Sequence, residues 1–146
     1  HRRYQEKFDY DIHVDPSILS CRTPKLILQP VVENAISHGI EDTGEDGNLI
    51  LHLDPSPDMV RLIIKVFDNG CGMDAETILR VLTLKKEDGK GLNKIGVNNV
   101  NMRIRRCFGE EYGLHVFSMP GVGTDVEINL PAITNDRDLK NKEALK

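Results

Sequence analysis

The sequence predicts an α+β fold: a two-layer α/β sandwich whose mixed, mostly antiparallel sheet carries about three helices on one face. Three observations lead there. Phe8, Tyr10, Ile12 and Val14 alternate with mostly polar residues, the period of a half-buried strand. Residues 59–67 are largely apolar and β-branched, which suits a central strand. Segments with helical spacing interrupt a series that begins and ends with strands, and that order favours one sheet with helices on one side.

The elements follow in order. Asp15-Pro16 ends the first strand. Thr23-Pro24 reads as a helix start, a hydroxyl cap followed by proline at the first helical position. Leu26, Ile27, Val31, Asn34, Ala35 and His38 then share one helical face. Pro30 interrupts it, so a kink or two short helices are expected. Gly39 suits the helix stop. Residues 41–48 are acidic and contain glycine, as a loop does. Residues 49–53 read as a strand, and Pro55-Ser56-Pro57-Asp58 as a turn. Asp68-Asn69-Gly70-Cys71-Gly72 breaks the central strand. Asp74 caps a short helix running to about Leu84. Residues 85–94 are charged, hold Gly89 and Gly91, and are expected to be mobile. Gly96 opens a second amphipathic helix, with Val97, Val100, Ile104 and Phe108 inward and Gly109 at its end. Residues 114–119 and 125–130 form a hairpin around Pro120-Gly121-Val122-Gly123. The reading is one domain over residues 1–133 and a polar tail over 134–146.

Composition excludes several classes. The chain has 146 residues, enough for a hydrophobic core without disulfides. Its formal net charge is -4, and Lys and Arg are scattered, so no nucleic-acid partner is expected. Aromatics are 5% and Trp is absent, which leaves few platforms for stacking bases. Cys21, Cys71 and Cys107 lack metal-ligand spacing and read as reduced thiols of a cytoplasmic domain. No apolar run is long enough to span a bilayer. The chain starts at His1-Arg2-Arg3-Tyr4 without Met, as a piece of a longer protein would.

Four stretches carry candidate chemistry. In Asp68-Asn69-Gly70-Cys71-Gly72-Met73 a carboxylate follows an apolar strand, where it needs a donor. Gly70 and Gly72 let the backbone turn and a flat ligand approach. A carboxylate over a glycine floor suits the exocyclic amine of adenine; an ordinary strand-to-helix turn has the same residues. In Glu33-Asn34-Ala35-Ile36-Ser37-His38-Gly39, Asn34 and His38 lie one turn apart. The Asn34 amide oxygen suits Mg²⁺, and equally a backbone hydrogen bond. Residues 89–96 place glycines before a helix N-terminus, a setting that favours phosphate. Lys85, Lys86, Lys90 and Lys94 are available to neutralise it. Gly121-Val122-Gly123-Thr124 enters the last strand.

Together these stretches resemble the GHKL (Bergerat-fold) ATPase and kinase superfamily, and within it the LytS/YesM-type sensor histidine kinases. The resemblance rests on the run from Pro24 through Gln29-Pro30-Val31-Val32-Glu33-Asn34-Ala35-Ile36-Ser37-His38-Gly39-Ile40, and on Ile95-Gly96-Val97-Asn98-Asn99-Val100-Asn101-Met102-Arg103-Ile104. It covers roughly residues 4–131. It implies ATP and Mg²⁺ as cofactors. Asn34 would be the Mg²⁺ ligand. Asp68 would bond the adenine amino group in a pocket shaped by Gly70 and Gly72. Gly96 would let the lid approach the phosphates, Thr124 would support the adenine site, and His38 would line the pocket. Glu33, beside Asn34, joins it as a catalytic candidate. Many histidine kinases carry Lys three residues after the Asn; Ser37 stands there here.

The resemblance also divides kinase from hydrolase. Hydrolytic members place a general-base Glu four residues before the Asn, where this chain has Pro30, which cannot activate water. Glu33 is about 100° around the helix from Asn34 and points elsewhere. A kinase instead needs an incoming histidine. In the family it lies in an upstream helical dimerisation segment with a Pro-His-Phe core, and none of His1, His13, His38, His52 and His115 has that context. The implied protein is a membrane-bound homodimer that serves a response regulator. This piece is expected to be a monomer that binds ATP without phosphorylating itself. Two other readings stand beside it: a nucleotide-binding regulatory module without turnover, and a serine-kinase anti-sigma factor.

Overall fold

Residues 8–40, 46–83 and 92–144 are described by the computed structural model. Five strands, β1 (Phe8–Val14), β2 (Gly47–Pro55), β3 (Arg61–Asp68), β4 (Gly113–Met119) and β5 (Gly123–Pro131), form one sheet in the order β1-β2-β3-β5-β4. β1 runs parallel to β2, and every other pair is antiparallel. The expected α+β class and mixed sheet are what the chain forms, with β3 in the middle.

Alternation fixes which face meets the helices. Leu62, Ile64, Val66 and Asp68 of β3 are buried, as are Leu49 and Leu51 of β2 and Val126, Ile128 and Leu130 of β5. Against them lie α1 (Gln29–Asn34), α2 (Ala75–Thr83) and α3 (Leu92–Phe108). They contribute Val31, Val81, Val97, Val100 and Ile104 to the same core. Burial of each such side chain stabilises by about 1.5–3 kcal/mol. Ile104 and Ile128 are fully enclosed, so truncating either to Ala costs about 2–5 kcal/mol. Asp74 caps α2 as expected, its Oδ1 accepting from Thr77 N–H at 2.7 Å.

Several expectations are corrected. The helix does not start at Thr23-Pro24. Residues 23–28 are irregular and α1 begins at Gln29. Pro30 then falls in the first turn, where its missing N–H costs nothing, so it neither kinks nor splits the helix. Leu26 leaves the core face: it is 72% exposed with φ of 61°. α3 begins at Leu92, and Gly96 is inside it. The first strand is not half-buried: Tyr10, Ile12 and Val14 are exposed. They share the helix-side face with Leu49, Leu51 and Leu53, but β1 lies at the sheet edge. The segment read as a polar tail holds a further helix, α4 (Asp136–Ala144). It packs on α3 and buries Leu139, and Asp136 pairs with Arg22 at 3.1 Å. Most of the expected mobile stretch, with Lys85, Lys86, Gly89, Lys90 and Gly91, lies outside the described residues, as do most of the loop at 41–48 and His1.

After α1 the chain widens into a π-helical turn, Ala35–Ile40, a rare geometry that recurs at functional sites. The carbonyls of His38 and Gly39 find partners there: Cys71 Sγ donates to His38 O at 3.1 Å and Cys71 N–H to Gly39 O at 3.1 Å. The end of the first helix is thereby fastened to the loop that follows β3.

Candidate functional site

The site forms where β3 runs out beneath that π-helical turn. Asp68, the last residue of β3, is 3% exposed. Its Oδ1 accepts from Gly70 N–H at 2.9 Å, and the Thr124 backbone amide also favours its charged form. Burial outweighs those two amides and pushes the Asp68 carboxyl up to about 6. Loss of water around a charge is costlier than two hydrogen bonds can offset.

Glycine is required around it for space. A Cβ on Gly39 would lie 2.5 Å from Asp68 Oδ1. One on Gly70 would lie 2.1 Å from the Gly39 backbone. Gly70 therefore packs against the π-helical turn, and that contact accounts for it. Gly72 has φ of 70°, and its Cβ would meet Met119 O at 2.0 Å.

The resulting pocket is lined by Asn34, His38, Asp68 and Thr124 on its polar side. Gly39, Cys71, Gly72, Met73, Thr77 and Val81 complete the wall. Of the residues singled out in the sequence, Asn34, His38, Asp68, Gly72 and Thr124 therefore converge, from α1, the π-helical turn, β3, the following loop and β5. The register explains the pairing of two of them, since Asp68 and Thr124 are directly opposite across β3 and β5.

Three others are placed differently. Glu33 is exposed and accepts from Gln29 Nε2 at 2.8 Å. Of Glu33 and Asn34, grouped above as catalytic candidates, only Asn34 lines the pocket, because neighbours on a helix diverge. Gly70 backs the pocket as described. In α3, a Cβ on Gly96 would lie 3.1 Å from Pro30 Cβ, so Gly96 governs how closely α1 and α3 approach. Sequence reasoning gave Gly39 only a helix-stop role, gave Met73 no role of its own within the 68–73 stretch, and omitted Thr77 and Val81. The apolar spacing of α2 contained the signal for Val81.

Residues 22–134 match the model of the histidine kinase-, DNA gyrase B- and HSP90-like ATPases. The chain belongs to this ATPase family. Its similar relatives include the sensor histidine kinase YesM of Bacillus subtilis (strain 168), 33% identical over 88% of this chain and 20% of that protein. The sensor protein LytS of Oceanobacillus iheyensis is 32% identical over 78% of this chain and 19% of that protein. The chain thus spans about a fifth of the length of these relatives. Among solved structures, the histidine kinase domain of the Erythrobacter litoralis EL346 blue-light activated kinase superposes with a TM-score of 0.57 at 17% identity. That match covers 97% of this chain and 56% of the other, and it shows the shared fold. No helix among the described residues is long and apolar enough to cross a membrane.

Proposed function

We propose that this chain is the ATP-binding catalytic domain of a two-component sensor histidine kinase. It would transfer the ATP γ-phosphate to a histidine in an upstream helical segment. The observation that carries the proposal is the enclosed Asp68 carboxylate, bonded by Gly70 N–H and lining a pocket that also contains Thr124 and Asn34. A carboxylate accepts hydrogen bonds and cannot donate them. The adenine amino group supplies the donor that buried Asp68 needs.

Asn34 would hold Mg²⁺ through its amide oxygen, together with phosphate oxygens and water, and the ion would neutralise charge on the transferring group. Among the described residues no group of three or more His, Cys, Asp and Glu is arranged to hold a metal, which suits an ion that arrives with its nucleotide. His38 would line the phosphate or ribose side, and Gly96 would set how closely α3 approaches α1 beside the pocket. Gly72 would let the base lie close to the loop.

Hydrolysis is disfavoured by Pro30 and by the outward position of Glu33. The phosphoacceptor is expected on another segment, because His13, His52 and His115 share one cross-strand row on the sheet face opposite the pocket. The parent protein would be a membrane-bound homodimer that passes the phosphoryl group to a response regulator.

The test mixes this chain with Mg²⁺-ATP and the upstream segment of its own parent protein. Acid-labile phosphohistidine on that segment is expected. Its absence under saturating ATP, with nucleotide bound, would leave a regulatory nucleotide-binding module.

A further inference from the structure

Thr124 belongs to a longer polar row than the pocket itself reveals. Across the sheet, Asp68 of β3 pairs with Thr124 of β5, which pairs with Ser118 of β4. Ser118 Oγ meets three groups. Met73 N–H donates to it at 2.8 Å, Gly123 O lies at 2.9 Å, and Thr124 Oγ1 lies at 2.8 Å.

A hydroxyl has one proton to give and two lone pairs to receive. The Met73 amide can only donate and the Gly123 carbonyl can only accept. The Ser118 proton therefore goes to Gly123 O. The Thr124 hydroxyl must give its own proton to Ser118 Oγ, or that contact lacks a hydrogen. This leaves Thr124 Oγ1 with lone pairs alone for the pocket. Thr124 is 6% exposed, so water does not readily reorient it. Beside it the Asp68 carboxylate is also an acceptor. The floor of the pocket consequently presents acceptors at two adjacent positions.

We propose that Ser118 is a positioning residue that fixes the Thr124 hydroxyl as an acceptor and thereby makes the pocket select a base whose exocyclic amino group offers its two hydrogens to the two acceptors, adenine, over one with a carbonyl at that position, such as hypoxanthine. Ser118 acts from behind the wall, through Thr124, and at the same time ties Met73 to β4. This inference rests on the nucleotide reading of the pocket. A site built to receive a donor rejects a carbonyl in its place because two acceptors then face each other unpaired.

The experiment measures ATP and inosine triphosphate affinities of this chain, with Mg²⁺, by calorimetric titration. Ser118→Ala frees the Thr124 proton, which can then turn toward the ligand. The ATP-over-inosine preference is expected to fall about tenfold, the scale of one hydrogen bond's worth of discrimination. Ser118→Thr, which keeps the hydroxyl, should restore most of the preference. In a Thr124→Val background, Ser118→Ala should change the ratio no further. Equal loss of affinity for both nucleotides in Ser118→Ala would make Ser118 a mere packing residue and overturn the proposal. If Ser118→Ala fails to fold, an unchanged ratio in Thr124→Val alone overturns it equally. Binding of neither nucleotide by the unaltered chain would overturn the pocket reading itself, whereas strong ATP preference that survives Ser118→Ala sinks only the role of Ser118.

Discussion

Gly39 and Asp68 are packed so closely that a single methyl group cannot be placed between them: a Cβ on Gly39 would lie 2.5 Å from Asp68 Oδ1. The carboxylate is thus pressed between the π-helical turn and β5. Gly39→Ala must displace the carboxylate or the turn. Overpacking of this kind costs about 1–3 kcal/mol, to be read from denaturant unfolding. ATP affinity should fall more than tenfold, because the displaced group is the proposed adenine acceptor. Native-like affinity in a folded Gly39→Ala chain would show that the close approach is incidental.

The Asp68 carboxyl, pushed up to about 6 by burial, predicts a pH dependence whose sign can be worked out. The folded form holds its proton more tightly than the unfolded chain does. Asp68 therefore favours the folded state below its unfolded value, and that contribution is lost as pH rises through about 6. Without nucleotide, Asp68→Asn should be more stable than the parent chain above pH about 6, with the difference shrinking as pH falls. ATP affinity of the parent chain should weaken as pH falls below about 6, because the protonated carboxyl is a poorer acceptor. Thermal unfolding and titration across that range check both.

Glu33→Gln should leave ATP affinity unchanged within about twofold, since a surface change away from a site shifts energies by only ~0.5 kcal/mol. Glu33 is exposed and bonded to Gln29. A large loss of phosphotransfer to the upstream segment in this variant would return Glu33 to the catalytic machinery.

Leu139→Ala should destabilise the chain by about 1–2 kcal/mol, below the full core range because one side of α4 is open. A dispensable tail would show no change in urea midpoint.

The central part of the fold was legible because its signals are periodic. Residues 62–67 are largely apolar along β3 in the middle of the sheet, although Met59 and Val60, read as its start, are exposed in the preceding turn, and Val97, Val100 and Ile104 repeat at helical spacing. Much of the site was legible because each polar residue interrupts such a pattern: Asp68 at a strand end, Asn34 and His38 on an apolar face. The misreadings had physical causes. Pro30 is equally compatible with a kink and a first turn, and only the irregular backbone at 23–28 decides between them. The alternation in β1 was real, but an edge strand beyond the helices leaves Tyr10 and Ile12 uncovered. α4 is highly charged, and among its described side chains Leu139 alone is buried, which gave no period. Gly39 looked like a stop signal because its close neighbour, Asp68, is 29 residues away (68 − 39). Ser118 lies in the expected hairpin, but only the strand register reveals that it stands opposite Thr124.

The most direct measurement is a calorimetric titration of the chain and of its Asp68→Asn variant with ATP in Mg²⁺ buffer at pH 8, with folding of both checked by circular dichroism. Saturable binding by the parent chain is predicted, with a loss of at least about a hundredfold in the variant, because an amide there sets a donor against the adenine amino group. Equal ATP affinity in two folded proteins would contradict the assignment of Asp68 and of the pocket it anchors.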